Sequence, residues 1–178
     1  MHYQAILDFW FSEISPVQWF RKDPAFDQTV RQRFSSVRQA AINGELDAWR
    51  ENIHGRLAEI IVIDQFSRNL FRENPAAFAA DGMALVLAQE LIRQPGYGAL
   101  APDWKGCALM PFMHSESSVI HTRALQLFAE AGNEKNLNFE RAHKAIIDRF
   151  GRYPHRNPIL NRRSTPEENE FIKHHKGF

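Results

Sequence analysis

The stretch Asp23-Pro24-Ala25-Phe26-Asp27-Gln28-Thr29-Val30-Arg31-Gln32-Arg33-Phe34-Ser35-Ser36-Val37-Arg38-Gln39-Ala40-Ala41-Ile42-Asn43-Gly44 decides the fold class. Its apolar side chains Phe26, Val30, Phe34, Val37 and Ala41 recur every three or four residues, the spacing that lines one face of a helix. Pro24 follows Asp23, a capping residue whose side-chain oxygen satisfies backbone N–H groups that lack an intrahelical partner. Proline at the first helical position gives up only a donor of that kind. Gly44 supplies a left-handed stop. The reading is one helix of about five turns.

The same punctuation recurs outward from this segment. Asn74-Pro75 and Thr165-Pro166 repeat the start signal, and Glu168, three residues after Thr165, completes a capping box. Comparable periodicity predicts helices near residues 3–12, 55–70, 75–94, 116–131, 138–150 and 166–175. No stretch alternates with period two between hairpin turns, so the expected class is all-α. Between Gln94 and Ser115, the breakers Pro95, Gly96, Gly98, Pro102, Gly106 and Pro111 predict a long irregular segment of the kind that often carries function. No consensus repeats at a fixed period.

A chain of 178 residues fits one helical domain over residues 1–178, since single cores occupy about 100–200 residues. Its 44% hydrophobic content, with 14 Phe and 4 Trp, excludes disorder as a description of the whole. Lys and Arg total 22 against 21 Asp and Glu, with no run of five like charges, which removes the footprint of a general nucleic-acid binder. Charged or amide residues interrupt every apolar stretch well short of the roughly 18 residues of a membrane span. The opening residues lack the order of a secretion signal, so a soluble cytoplasmic protein with no membrane partner is expected. The lone Cys107 excludes an internal disulfide or a multi-cysteine metal site and reads as a buried filler.

Three polar clusters fall on apolar stripes. Asp64 lies seven, four and three residues beyond Leu57, Ile60 and Ile61, so it projects from their face, and Arg68 follows four residues later. Burying one such charge alone costs several kcal/mol, so the pair is expected to be mutually satisfied or to meet further polar groups, with Asn69 and Arg72 as candidates to extend the network. His143 falls on the stripe of Phe139, Ile146 and Phe150. It precedes a loop in which Arg152, His155, Arg156 and Asn157 sit among the rigid turn residues Pro154 and Pro158. The third cluster is Pro111 to Glu116, where Ser115 reads as an N-cap and Glu116 as a first-turn acid. His114, beside Phe112 and Met113, is expected to have a lowered pKa. His121 lies on a stripe with Leu125 and Phe128.

These motifs, together with Leu7-Asp8-Phe9-Trp10-Phe11, the segment Asn74 to Asp81 and the Ser164-Thr165-Pro166-Glu167-Glu168 cap, give the chain a close resemblance to the bacterial "domain of unknown function 924" family over nearly its whole length. The resemblance implies a tetratricopeptide-like array of antiparallel helix pairs enclosing a groove, and it implies no activity. Matching motif positions one by one directs interest to Asp64, Gln65, Arg68, Asn69, His114, Glu116, His143, Arg152, His155, Arg156 and Asn157. Two departures stand out. Asn161 occupies a position where the family usually has Gly, a change that a left-handed turn tolerates. His121 stands where Gln is usual, which argues against a metal-ligand role for it.

The expected function is binding, with or without turnover, of a small anionic ligand that bears phosphate or carboxylate. Arg68, Arg152 and Arg156 supply planar, permanently charged forks for oxyanions. Asp64, Gln65, Asn69, Glu116 and Asn157 would help bind and orient the ligand, and His114, His143 and His155 are the proton-transfer candidates. The rival reading is a protein- or peptide-binding scaffold whose polar clusters only hold helices in register. A third is a metal-dependent hydrolase using His114, Glu116, His143 and His155, although no metal-ligand spacing signature is present and no cofactor is named by the sequence. Ser115 lacks the surroundings of a nucleophile elbow.

Overall fold

The computed structural model describes every residue except Lys176 and Phe178, with Phe20 described by its backbone alone. Among the described residues there are helices and turns and no strand. The α-helices are α1 (Gln4–Asp8), α2 (Pro16–Phe20), α3 (Pro24–Ile42), α4 (Ile53–Ile61), α5 (Ser67–Leu70), α6 (Asp81–Leu91), α7 (Pro102–Met113), α8 (Ser118–Ala131), α9 (Glu134–Phe150) and α10 (Pro166–His174). A π-helical turn, Val62–Phe66, joins α4 to α5 without a break, and another, Phe9–Glu13, extends α1.

The helix formed by α4, the π turn and α5 is the axis of the molecule. Every residue from 57 to 67 is buried, because α1, α3, α6 and α7 pack around it. A helix enclosed on all sides has no polar face, so its charged residues Glu59 and Asp64 have to find partners inside the protein. Phe34 from α3 delivers the stripe read at the outset: its ring lies 4.8 Å from both Phe9 and Phe66. From α6 to α9 each helix packs on the next. The two residues between α8 and α9 are Gly132, left-handed at φ 77°, and Asn133, whose side chain caps α9, so these two helices turn back on each other. Ile146, Ile147 and Tyr153 form a smaller second core with Phe150 and Phe171, which ties α10 to the end of α9.

Several start signals hold. Asp23 accepts from the N–H groups of Ala25 and Phe26, and the Thr165–Glu168 capping box is complete. Others are corrected. Asn74-Pro75 opens only a 3₁₀ turn, Pro75–Ala77, and α6 begins at Asp81. Ser117, not Ser115, caps α8, so Glu116 lies outside the helix it was assigned to. Phe139 on the expected His143 stripe is 39% exposed. The short α2 was not anticipated, although Ser15, Pro16 and Gln18 form a capping box by the same rule.

The largest correction concerns residues 94–115, most of which form α7 rather than a loop. Pro102 takes the tolerated first position. Gly106 is a contact residue: a Cβ there would lie 2.3 Å from Asn136 Nδ2, so its bareness lets α9 approach. Pro111 sits in the last turn, and the burial of all eight residues from 106 to 113 outweighs the one backbone hydrogen bond it forfeits. Asn161 does adopt the left-handed conformation expected of it, at φ 51°. Among the described residues no helix is long and apolar enough to cross a membrane.

Candidate functional site

Asp64 is fully buried within the π turn of the central helix, the wider turn that often re-aims a side chain at a functional site. Its Oδ1 meets His114 Nδ1 at 2.8 Å and Arg68 Nη1 at 3.1 Å, and its Oδ2 accepts from Gln65 Nε2 at 2.6 Å. An ionised carboxylate only accepts, so Nδ1 of His114 carries the proton and Nε2 is left as the basic nitrogen of a neutral ring. Among the described residues no side chain or carbonyl engages that Nε2. His114 itself is the residue that ends α7.

Arg68 and Arg156 converge on a second carboxylate. Arg68 Nη2 donates to both oxygens of Asp81 at 3.1 and 3.0 Å, and Arg156 Nη1 reaches Oδ2 at 3.4 Å. Arg156 Nη2 donates to the His114 carbonyl at 3.1 Å, which fixes the loop to the end of α7. The Arg156 guanidinium lies 4.6 Å from the ring centres of both Phe78 and Tyr153. Its Nε is buried and has no hydrogen-bond partner among the described residues. Exposure of the side chains rises from 0% at Asp64 through 8% at Arg156 and 16% at His114 to 20% at Arg68 and Asp81, so the network has an inner and an open end.

Burial alone would raise the Asp64 carboxyl, but the charge of Arg68, with the hydrogen bonds from His114 and Gln65, outweighs it and holds it at about 2. Burial, and then the Arg68 charge, pushes His114 below its ordinary value in spite of Asp64, so the ring is neutral at pH 7. Burial raises Asp81, against Arg68 and with the help of Asp64. Two guanidinium and two carboxylate charges therefore balance around one neutral imidazole.

A model of the family "Bacterial protein of unknown function (DUF924)" matches residues 6–176. The chain belongs to DUF924. A solved structure of a protein of unknown function from Agrobacterium tumefaciens is 38% identical, covers 97% of both chains and superposes with a TM-score of 0.91. No curated protein matches.

In this DUF924 chain the structure brings Asp64, Gln65, Arg68, His114 and Arg156 together and sends the other sequence candidates elsewhere. Asn69 and Arg72 do not extend the Asp64 network. They bond Asp27 of α3, at 2.8 Å for Asn69 and at 2.6 and 2.7 Å for Arg72. Arg152 is taken up by Glu168 at 2.6 and 2.8 Å, and the Arg152 hydrogen bond holds that carboxyl down at about 2. Glu116 accepts from Tyr153 N at 2.8 Å and from both terminal nitrogens of Arg162 at 2.6 and 2.9 Å. Asn157 lies between Ser164 and Arg162, at 3.0 Å from each. These pairs fold the loop 151–165 back onto the end of α7.

His143 and His155 surround Tyr153 rather than the Asp64–His114 pair. Their rings lie 5.7 and 5.6 Å from that of Tyr153. His143 Nδ1 meets the Phe139 carbonyl at 2.7 Å, and burial depresses its pKa to about 3. Burial, and then the Arg156 charge, takes His155 down to about 4. His121 uses both nitrogens internally, Nδ1 on Glu140 at 2.6 Å and Nε2 on the Ser115 carbonyl at 2.8 Å. Among the described residues no three His, Cys, Asp or Glu side chains converge to hold a metal ion.

Sequence reasoning passed over Asp81, Glu140, Tyr153 and Arg162. Glu140 carried a readable signal, since it lies three residues before His143 and seven before Ile147 on one face. Asp81 looks like an ordinary first-turn acid, and nothing local distinguishes Arg162. A cavity of about 70 Å³ reaches Gln65 among Trp10, Trp19, Cys107 and Asn136, and one of about 430 Å³ lies by Arg149, Phe171 and His174. Neither is lined by Arg68, His114 or Arg156.

Proposed function

We propose that the open end of the Asp64–Arg68–Asp81–His114–Arg156 network binds a small anion bearing phosphate or carboxylate. In this reading Arg68 and Arg156 grip the oxyanion and His114 is the group that accepts or returns a proton. The observation that carries it is the convergence of two guanidinium groups on one partly exposed carboxylate, beside a histidine whose Nδ1 is held and whose Nε2 is unspent. Asp64 plays the part of an orienting carboxylate: it fixes the tautomer of His114 and stabilises its protonated form should one arise. The Nε of Arg156 is a donor for which the described residues offer no acceptor.

The packing of each helix from α6 to α9 on the next supports the tetratricopeptide-like arrangement, and with it the rival scaffold reading. One experiment separates the two. Isothermal titration with inorganic phosphate and with acetate at low ionic strength is run on the wild-type chain and on Arg156→Lys and Arg68→Lys, each checked for helix content by circular dichroism. The anion reading expects saturable heat with the wild type and at least tenfold weaker binding in both folded variants, because Lys offers one point charge where Arg offers a planar fork. No saturable heat from either anion, or unchanged binding in both variants, sinks it and leaves a scaffold stitched by ion pairs.

A further inference from the structure

The site as it stands is already neutral, and that restricts which anion it accepts. Any oxyanion seated on Arg68 and Arg156 also faces Asp81, whose carboxylate takes both Nη2 hydrogen bonds of Arg68, and Asp64 lies behind them. From the elements packed around Asp81, the charged or titratable groups facing it are Arg68, Asp64, His114 and Arg156. With His114 neutral, the contact with Asp81 is what distinguishes between anions of equal charge. A ligand that brings its own proton replaces the contact between two acceptors at Asp81 with a hydrogen bond, because its O–H donates to Asp81 while its other oxygens accept from the arginines.

The helix end adds a reason for the anion to sit there. Asp81 is the first residue of α6, and Ala80 before it offers no side-chain acceptor, so the leading N–H groups of an eleven-residue helix lack a side-chain cap. Arg156, 8% exposed, holds a buried N–H group with no hydrogen-bond partner among the described residues, on the same side chain that reaches Asp81.

We infer that the site selects an oxyanion that retains a proton, namely hydrogen phosphate, free or as the head of a monoester, and that Asp81 is the residue that rejects the fully deprotonated sulfate. This inference rests on the anion-site reading. The raised position of the Asp81 carboxyl agrees with it, since one shared proton between Asp81 and the ligand serves both.

The test titrates the full chain at low ionic strength with inorganic phosphate, ethyl phosphate and sulfate, using wild type and Asp81→Asn. A phosphate monoester loses its last proton near pH 6, so titrations are run at pH 5.5 and pH 7.5. The expected result is phosphate at least tenfold tighter than sulfate in the wild type, and a ratio near one in Asp81→Asn, chiefly through gained sulfate binding. Ethyl phosphate that matches inorganic phosphate at pH 5.5 and weakens about tenfold by pH 7.5 identifies a monoester head. Inorganic phosphate binding alone identifies the free ion. Equal binding of phosphate and sulfate by the wild type overturns the inference and leaves the anion site standing, and this comparison needs no variant. So does a preference that survives in a folded Asp81→Asn. Binding of none of the three anions by either protein removes the anion site and this inference together.

Discussion

Replacing Asp64 by Asn exchanges one oxygen for one nitrogen and removes the charge on which Arg68, His114 and Gln65 all depend. The carboxyl has an ordinary value of 3.8 and is held at about 2 in the folded chain. Each pH unit of separation corresponds to about 1.4 kcal/mol, so its charged form contributes about 2 kcal/mol to folding. Because the folded value lies below the unfolded one, that contribution is complete above the unfolded pKa and fades as the pH falls through the folded one. Asn supplies none of it at any pH, and its amide nitrogen turns a donor toward groups that are themselves donors, which adds about 1 kcal/mol. Asp64→Asn is therefore expected to lose about 3 kcal/mol at pH 7, with the gap narrowing by most of the charge contribution near pH 2.5. Urea unfolding followed by tryptophan fluorescence at pH 7, 4 and 2.5 measures both. A gap that stays constant across that range, or that is under about 0.5 kcal/mol at pH 7, refutes the ion-network account of Asp64.

Three further outcomes follow from local geometry. Gly55→Ala gains about 1 kcal/mol of helix propensity, yet its Cβ would lie 2.1 Å from the Trp49 carbonyl oxygen, which is backbone and cannot swing aside. Urea denaturation should show a net loss of about 1–2 kcal/mol, and a stabilised variant would count against the packing of α4 on that turn. Asn161→Ala should cost about 1 kcal/mol in the same assay, whereas Asn161→Gly should cost little, because φ is 51° there. The Cys107 thiol is buried and pushed up to about 12, so a thiol reagent at pH 8 should leave the native chain unlabelled and modify it fully in urea. Labelling of the native protein within minutes would show that α7 does not seal it.

The helices were legible wherever a start signal and an apolar stripe agreed. Phe26, Val30, Phe34, Val37 and Ala41 are all buried, and the Asp23 and Thr165 caps are in place. Gly106 and Pro111 count as breakers by residue type, yet α7 runs through both. What decides their effect is whether something packs against them, and Asn136, thirty residues away in sequence, does. Asp64 was correctly expected to be buried, but for an incomplete reason. The stripe argument assumes a helix with a wet face, and α4 has none from residue 57 onward, so Glu59 is buried as well and takes Arg50 at 2.6 and 2.7 Å.

Partners are less legible than burial, because helical periodicity constrains which way a side chain points and says nothing about what it meets. Asp64 meets His114 across 50 residues, Glu116 meets Arg162 across 46 and Arg156 meets Asp81 across 75. In two of these pairs one member carries no local signal at all. The distinction between a clamp and a site then rests on whether polar capacity is left over after pairing. Arg152 spends Nε and Nη2 on Glu168 and the Arg163 carbonyl, and Arg162 closes on Glu116, Asn157 and the Tyr153 carbonyl. Such pairs have no reason to exchange a partner for a ligand. Arg156 keeps a buried Nε with no acceptor, His114 keeps a basic nitrogen, and both adjoin a carboxylate open to water. In the proposed anion site, residual valence of this kind beside an open carboxylate, rather than the count of charges, sets the centre at Asp81 apart from the Arg152 and Arg162 bridges, and His155 Nδ1 and Glu140 Oε2, also without a partner among the described residues, lack such a neighbouring guanidinium pair.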